Sequence, residues 1–164
     1  MNATTKLLAA GLAAGFLAVG FIAANGVAAA ADMSVIDKRR DVMEKINGAG
    51  WNVIKKFVED DKGSPADVKK AADAMAATPE KFLPLFVKGT GRPDVDSRKT
   101  QATAKIWEDW AGFEAAAKAL RDEAAKMSKV AAGGDKAAIT EQLKSLGRNG
   151  CGACHRAFKG KAVK

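Results

Sequence analysis

The chain has 164 residues, 48% of them hydrophobic, and its 27 basic against 19 acidic side chains give a net charge of +8. Lysines alternate with acids and are not interleaved with aromatic residues, which argues against nucleic-acid binding. The positive charge suits docking to acidic partner proteins, although it could equally serve solubility.

The N-terminus has the layout of a secretory signal peptide. Lys6 precedes an apolar run over residues 7–24, a polar break follows, and small residues at positions 27–31 offer cleavage after Ala30 or Ala31. The alternative is an uncleaved membrane anchor, because the run is close to spanning length. We predict a signal peptide over residues 1–31, export to the periplasm, and no membrane span after cleavage.

Residues 32–164 suit one all-α domain with one hydrophobic core, because apolar side chains recur at helical spacing and no alternating β pattern is present. The first helix is predicted over residues 34–60, with interruptions only at Gly48 and Gly50. Its apolar stripe consists of Val35, Ile36, Val42, Met43, Ile46, Val53, Ile54, Phe57 and Val58.

Local signals mark the later helices. Ser64 is a predicted N-cap, with Pro65 at the first helical position and Asp67 at the third. Thr78, before a proline, suggests another N-cap, and a loop rich in glycine and proline follows over residues 88–97. The inner positions of a long third helix, from about Thr103 to Ala131, are Ile106, Trp110, Phe113, Ala117, Leu120, Ala124, Met127 and Ala131.

A fourth helix follows the Gly133–Gly134 stop and has Asp135 as its cap, and it carries Ile139, Leu143, Leu146 and Gly150 along one face. Four helices joined by connections of mixed length predict an antiparallel up-down-up-down four-helix bundle.

The fourth helix leads into Cys151-Gly152-Ala153-Cys154-His155, which holds every cysteine and histidine of the chain. C-x-x-C-H is the attachment signature of c-type haem, in which two thioethers join the cysteines to the porphyrin and the histidine binds iron. A thioredoxin-like motif would follow a strand, and a zinc site needs about four ligands. The sequence therefore predicts one covalently attached haem c on Cys151 and Cys154, with His155 as the proximal ligand.

With a C-terminal C-x-x-C-H on a helical bundle, residues 32–164 resemble the cytochrome c′ family, including its low-spin, methionine-ligated relatives. The opening segment at 36–43 is similar to the family's first helix, where an arginine or similar residue stands four before a Met or Leu that faces the haem. Residues 105–107 followed by Phe113 resemble its third helix, and residues 151–159 resemble its haem-binding end. The resemblance covers nearly the whole of this region.

Four further residues are candidates for the haem site. A methionine on the apolar face of a helix, such as Met43, usually packs in the hydrophobic core. With a haem in the bundle, however, Met43 is the best candidate for a distal iron ligand. Arg39 lies one turn before it and is either a solvated charge at the border of the stripe or, as the resemblance favours, a partner for a haem propionate. The resemblance also implies that Trp107 and Phe158 pack beside the porphyrin.

Two functions follow, and neither is enzymatic, because no distal histidine, acid pair or nucleophilic constellation is visible. The first is a periplasmic electron carrier that cycles between Fe(II) and Fe(III), with Met43 bound to iron. The alternative is a five-coordinate haem that binds nitric oxide or carbon monoxide at an open distal position. The family's pairing through its first two helices would give at most a weak homodimer, because Trp51 is the only large apolar residue expected on the outer face of the first helix.

Overall fold

The computed structural model describes residues 32–163, so the predicted signal peptide lies outside the described part of the chain. This part is helical and contains no strand, only an isolated antiparallel bridge between Ala102 and Lys159. Its α-helices are α1 (Ser34–Lys45), α2 (Asn52–Asp60), α3 (Pro65–Ala76), α4 (Pro79–Phe82), α5 (Lys105–Glu108), α6 (Trp110–Ala132), α7 (Lys136–Ser145) and α8 (Gly152–Phe158). None of the helices in residues 32–163 is long and apolar enough to cross a membrane.

The predicted four-helix bundle is confirmed. A π-helical turn over Ile46–Trp51 joins α1 to α2 into the first bundle helix, and a second over Leu146–Cys151 joins α7 to α8 into the fourth. The second and third bundle helices are α3 and α6, which pack against each other more extensively than any other pair of elements in the described residues. Such wide turns are rare and often occur at functional sites, and here the second one ends at the first cysteine of the haem motif.

All three predicted N-cap positions are confirmed, and two of them have a side-chain capping hydrogen bond. The Ser64 hydroxyl accepts a hydrogen bond from the backbone N–H of Asp67, whose carboxylate accepts one in return from the Ser64 N–H. Asp135 accepts from the N–H of Ala137. Thr78 occupies the N-cap position of α4 as predicted, but its hydroxyl donates to the carbonyl of Ala74 in the preceding helix and does not accept from α4.

The prediction of one continuous third helix is also wrong at its N-terminal end. The helix is broken at Asp109, whose backbone leaves the helical region (φ −132°, ψ 61°) and whose carboxylate accepts from the N–H of Gly112. Asp109 therefore caps α6, and the single turn of α5 stands apart. All the predicted inner positions of this segment are buried except Trp110, which is half-buried.

Candidate functional site

The two cysteines and the histidine lie where the fourth bundle helix resumes α-helical geometry. Cys151 ends the π-helical turn, and Cys154 and His155 follow on α8. Both thiols are free and half-buried, and burial raises their pKa values, that of Cys154 to about 11. Desolvation of the ring lowers the pKa of His155, which favours the neutral imidazole that binds metals.

Two cavities adjoin this motif, and Met43, Cys154 and His155 line both of them. The first, here called the basic cavity, has a volume of about 380 Å³. Within the described part of the chain, no carboxylate lines this cavity, and its charged wall residues are Arg39, Arg40, Arg98, Lys99 and Lys159, beside the titratable His155. The second, the apolar cavity, has a volume of about 280 Å³, and among residues 32–163 it is lined by no aspartate, glutamate, lysine or arginine, with the His155 ring as its one titratable imidazole.

Arg39 is buried, with only 5% of its surface exposed, so the alternative of a solvated border charge is wrong. Its guanidinium donates to the hydroxyl of Thr90 at 2.9 Å and to the carbonyl of the same residue at 2.7 Å, and it lies 4.8 Å from the ring centroid of Phe86. No carboxylate of residues 32–163 forms a salt bridge with it. Burial accordingly lowers the pKa of Arg39, and its charge is left without a counter-ion beside the basic cavity.

The other predicted site residues divide into two groups. Met43 is half-buried and shares both cavity walls with His155, and Phe158 is buried in the wall of the basic cavity. Trp107 lines neither cavity. Its ring nitrogen donates to the carbonyl of Phe86 at 2.9 Å, and the ring packs so closely on Gly91 that a Cβ there would lie 2.2 Å from it.

Several wall residues had no signal in the sequence. Residues 97–102 line part of the basic cavity. They belong to the long loop that precedes α5, which the pattern predicted only as far as residue 97. Trp51 was placed on the outer face of the first helix, and this prediction is wrong. It lines the apolar cavity and lies against Gly147, where a Cβ would be 2.9 Å from the indole Cη2.

These observations fit a haem c. Two thiols spaced for the porphyrin vinyl groups and a neutral imidazole meet at the junction of the cavities. The uncompensated cation of Arg39 suits the negative propionates, and the apolar cavity suits the hydrocarbon part of the ring. Aromatic rings of Phe82, Phe86, Phe113 and Phe158 pack against one another nearby, with centroid separations of 4.7–6.4 Å.

A family model described as Cytochrome C′ matches residues 34–159, which include the haem motif and all four bundle helices. The chain belongs to the cytochrome c′ family. It is 34% identical to a cytochrome c′ of Rhodospirillum rubrum over 134 residues, which cover 81% of this chain and 87% of the relative. It is 32% identical to cytochrome c-556 of Agrobacterium tumefaciens over 135 residues, which cover 79% and 97%.

The fold is that of solved cytochromes c′. A nitric oxide complex of a cytochrome c′ variant from Alcaligenes xylosoxidans matches with a TM-score of 0.66 at 21% identity, covering 80% of this chain and 98% of that one. As a cytochrome c′, the chain carries one covalently attached c-type haem.

Proposed function

We propose that Cys151 and Cys154 form the two thioethers to the haem and that His155 is the proximal ligand of its iron. The motif and its position at the meeting point of the two cavities support this assignment. The buried, unpaired charge of Arg39 supports its pairing with a propionate. Mass spectrometry of the purified protein would then show one added haem that survives acid–acetone extraction, and extraction of the haem from the protein would refute covalent attachment.

The function that the site supports best is the binding of a diatomic gas, nitric oxide or carbon monoxide, at the iron position opposite His155. When bound, the haem supplies an iron that coordinates such gases and exchanges one electron. The observation that carries the proposal is the hydrocarbon character of the wall around a haem in the apolar cavity, which Ile46, Phe82 and Leu120 line together with Met43. A neutral gas needs neither charge nor a strong hydrogen-bond donor there, and the related variant from Alcaligenes xylosoxidans binds nitric oxide.

Electron transfer with Met43 bound to iron is the second candidate. The shared position of Met43 and His155 on both cavity walls favours it, because a thioether on that wall could take the sixth coordination position. The residues thus allow both functions, and the two differ in a single bond between the Met43 sulfur and the iron.

The spin state of Met43→Ala separates the two candidates. Gas binding at an open position predicts that the wild-type haem is high-spin and that the variant keeps its spectrum. A change from low-spin to high-spin would refute that proposal in favour of the carrier. Met127→Ala is the matched control, because Met127 is fully buried on α6 and lines neither cavity.

We further propose export to the periplasm, a non-enzymatic role, acidic redox partner proteins and weak self-association. The cytochrome c′ family assignment and the layout of residues 1–31 support export. N-terminal sequencing would then find Ala31 or Asp32 first, and recovery of intact Met1 in a membrane fraction would contradict cleavage.

For association, the inward position of Trp51 leaves the outer face of the first bundle helix without the large apolar residue expected there. We expect sedimentation to show monomers at sub-micromolar concentration, and a tight dimer would contradict this.

A further inference from the structure

Arg92 lies outside both cavities but binds the two chain segments that form one wall of the basic cavity. Its Nε donates to the carbonyl of Thr100 at 2.8 Å and its Nη2 to that of Ser97 at 2.5 Å. Its Nη1 donates to the carbonyl of Lys161 at 2.9 Å. One guanidinium therefore joins the long loop to the C-terminal tail.

Backbone hydrogen bonds run alongside this contact. The N–H of Arg92 donates to the carbonyl of Ala102 at 2.9 Å, and the N–H of Gly160 donates to that of Gln101 at 2.8 Å. The N–H of Thr103 donates to the carbonyl of Phe158, the last residue of α8. The helix that carries His155 is thus tied directly to the loop that closes the basic cavity.

The joined segments supply much of the wall of that cavity. From the loop come Ser97, Arg98, Lys99, Thr100, Gln101 and Ala102, and from the tail Lys159 and Val163. Neither segment is helical. The loop has turns of its own, in which the N–H groups of Lys99 and Thr100 donate to the carbonyl of Asp96, but these bonds do not reach the tail. The planar fork of arginine reaches three carbonyls at once, which a lysine cannot do with the same geometry.

We propose that Arg92 is a positioning residue that holds the loop and the tail together as one wall of the haem site, and so limits the access of water to the haem. This inference rests on the presence of the haem and not on the choice between gas binding and electron transfer. Burial of a haem in a low-dielectric site raises its reduction potential, because the charge of the ferric state is then less well solvated. Loosening of the wall should therefore lower the potential.

The test compares Arg92→Lys with the wild type, both in the haem-loaded form. Lysine keeps the positive charge, so a change in potential reports the lost contacts and not the lost charge. Hydrogen–deuterium exchange of the backbone amides at position 92 and at Gly160 should accelerate by about tenfold or more in Arg92→Lys. The reduction potential of the haem should fall. The amides in the middle of α6 should be unaffected.

Two further variants sharpen the comparison. Gly160→Ala should have the same two effects with Arg92 unchanged, because its Cβ would lie 2.6 Å from the Arg92 Nη1. Arg121→Lys is the control, since Arg121 is exposed on α6 and pairs with Asp122, and it should leave both the exchange rates and the potential unchanged. If the backbone amides of Arg92→Lys exchange at the wild-type rate, Arg92 does not hold the loop and the tail together. If they exchange faster but the reduction potential stays at its wild-type value, the proposed effect of this wall on the haem is wrong.

Discussion

The indole of Trp51 lies against Gly147, and this contact joins the π-helical turns of the first and fourth bundle helices. A Cβ on Gly147 would be 2.9 Å from the Trp51 Cη2, closer than side chains tolerate without a shift. The contact holds the helix that carries Met43 beside the helix that carries Cys151. The glycine at this position therefore sets how closely the two sides of the haem site approach.

Gly147→Ala should destabilise the protein by about 1–3 kcal/mol, the usual cost of overpacking. Gly48→Ala is the matched control in the other π-helical turn, where a new Cβ meets nothing within 4 Å. That change should leave stability unaltered or raise it by about 0.4–1 kcal/mol, because alanine has less freedom in the unfolded chain. Guanidinium unfolding of the haem-loaded variants measures both, and equal effects of the two changes would show that the contact does not limit the approach.

Glu123 is a buried carboxylate, 7% exposed, that links α6 to α7. It accepts hydrogen bonds from Gln142 at 2.8 Å, from Ser145 at 2.7 Å and from Lys126 at 2.7 Å. Burial raises the pKa of Glu123, but these three hydrogen bonds together outweigh that effect and leave it below its ordinary value. The ionised form is therefore more stable in the folded protein than in the unfolded chain.

This carboxylate should stabilise the fold fully above its unfolded pKa, and the contribution should disappear as the pH falls through its folded pKa. We expect Glu123→Gln to lower the free energy of unfolding by about 1–3 kcal/mol at neutral pH, because Gln142 and Ser145 lose a charged acceptor. The difference from wild type should shrink in acid. Glu141→Gln, which removes an exposed partner of Lys144, is the control. A deficit that stays constant from pH 7 to about pH 3 would contradict the role of the charge.

The two hydrogen bonds from Arg39 to Thr90 connect α1 to the start of the long loop. Arg39→Lys should lose one of them and cost about 1–2 kcal/mol of stability, and Arg39→Gln should cost more because the charge is lost as well. If the guanidinium also pairs with a propionate, the reduction potential should fall further in Arg39→Gln than in Arg39→Lys. Identical reduction potentials in the two variants would show that Arg39 does not pair with a propionate.

The features that could be predicted from sequence depend on short stretches of chain. The capping box at Ser64, the stop before Asp135 and the haem motif each occupy a few neighbouring residues, and the core stripes repeat at helical spacing. The π-helical turns escape such a pattern, since one extra residue rotates all later side chains by about 100°. Trp51, at the end of such a turn, consequently faces inward and not outward.

Contacts between distant residues could not be predicted either. Arg39 and Thr90 are 51 positions apart, and Arg92 and Lys161 are 69 apart. The sequence of a glycine- and proline-rich loop does not indicate which of its carbonyls will accept hydrogen bonds from an arginine. The basic cavity was therefore predictable only on its helical side, where the predicted site residues Arg39, Met43, Cys154, His155 and Phe158 line it.

The kinetics of carbon monoxide binding to the ferrous, haem-loaded protein test the proposed gas site most directly. An open iron position predicts a rate that rises in proportion to carbon monoxide concentration, and Met43→Ala should change it little. If Met43 occupied the iron, the rate would reach a plateau set by dissociation of the methionine, and Met43→Ala would abolish that plateau. Proportional kinetics would confirm the account, and a plateau that disappears in Met43→Ala would contradict it.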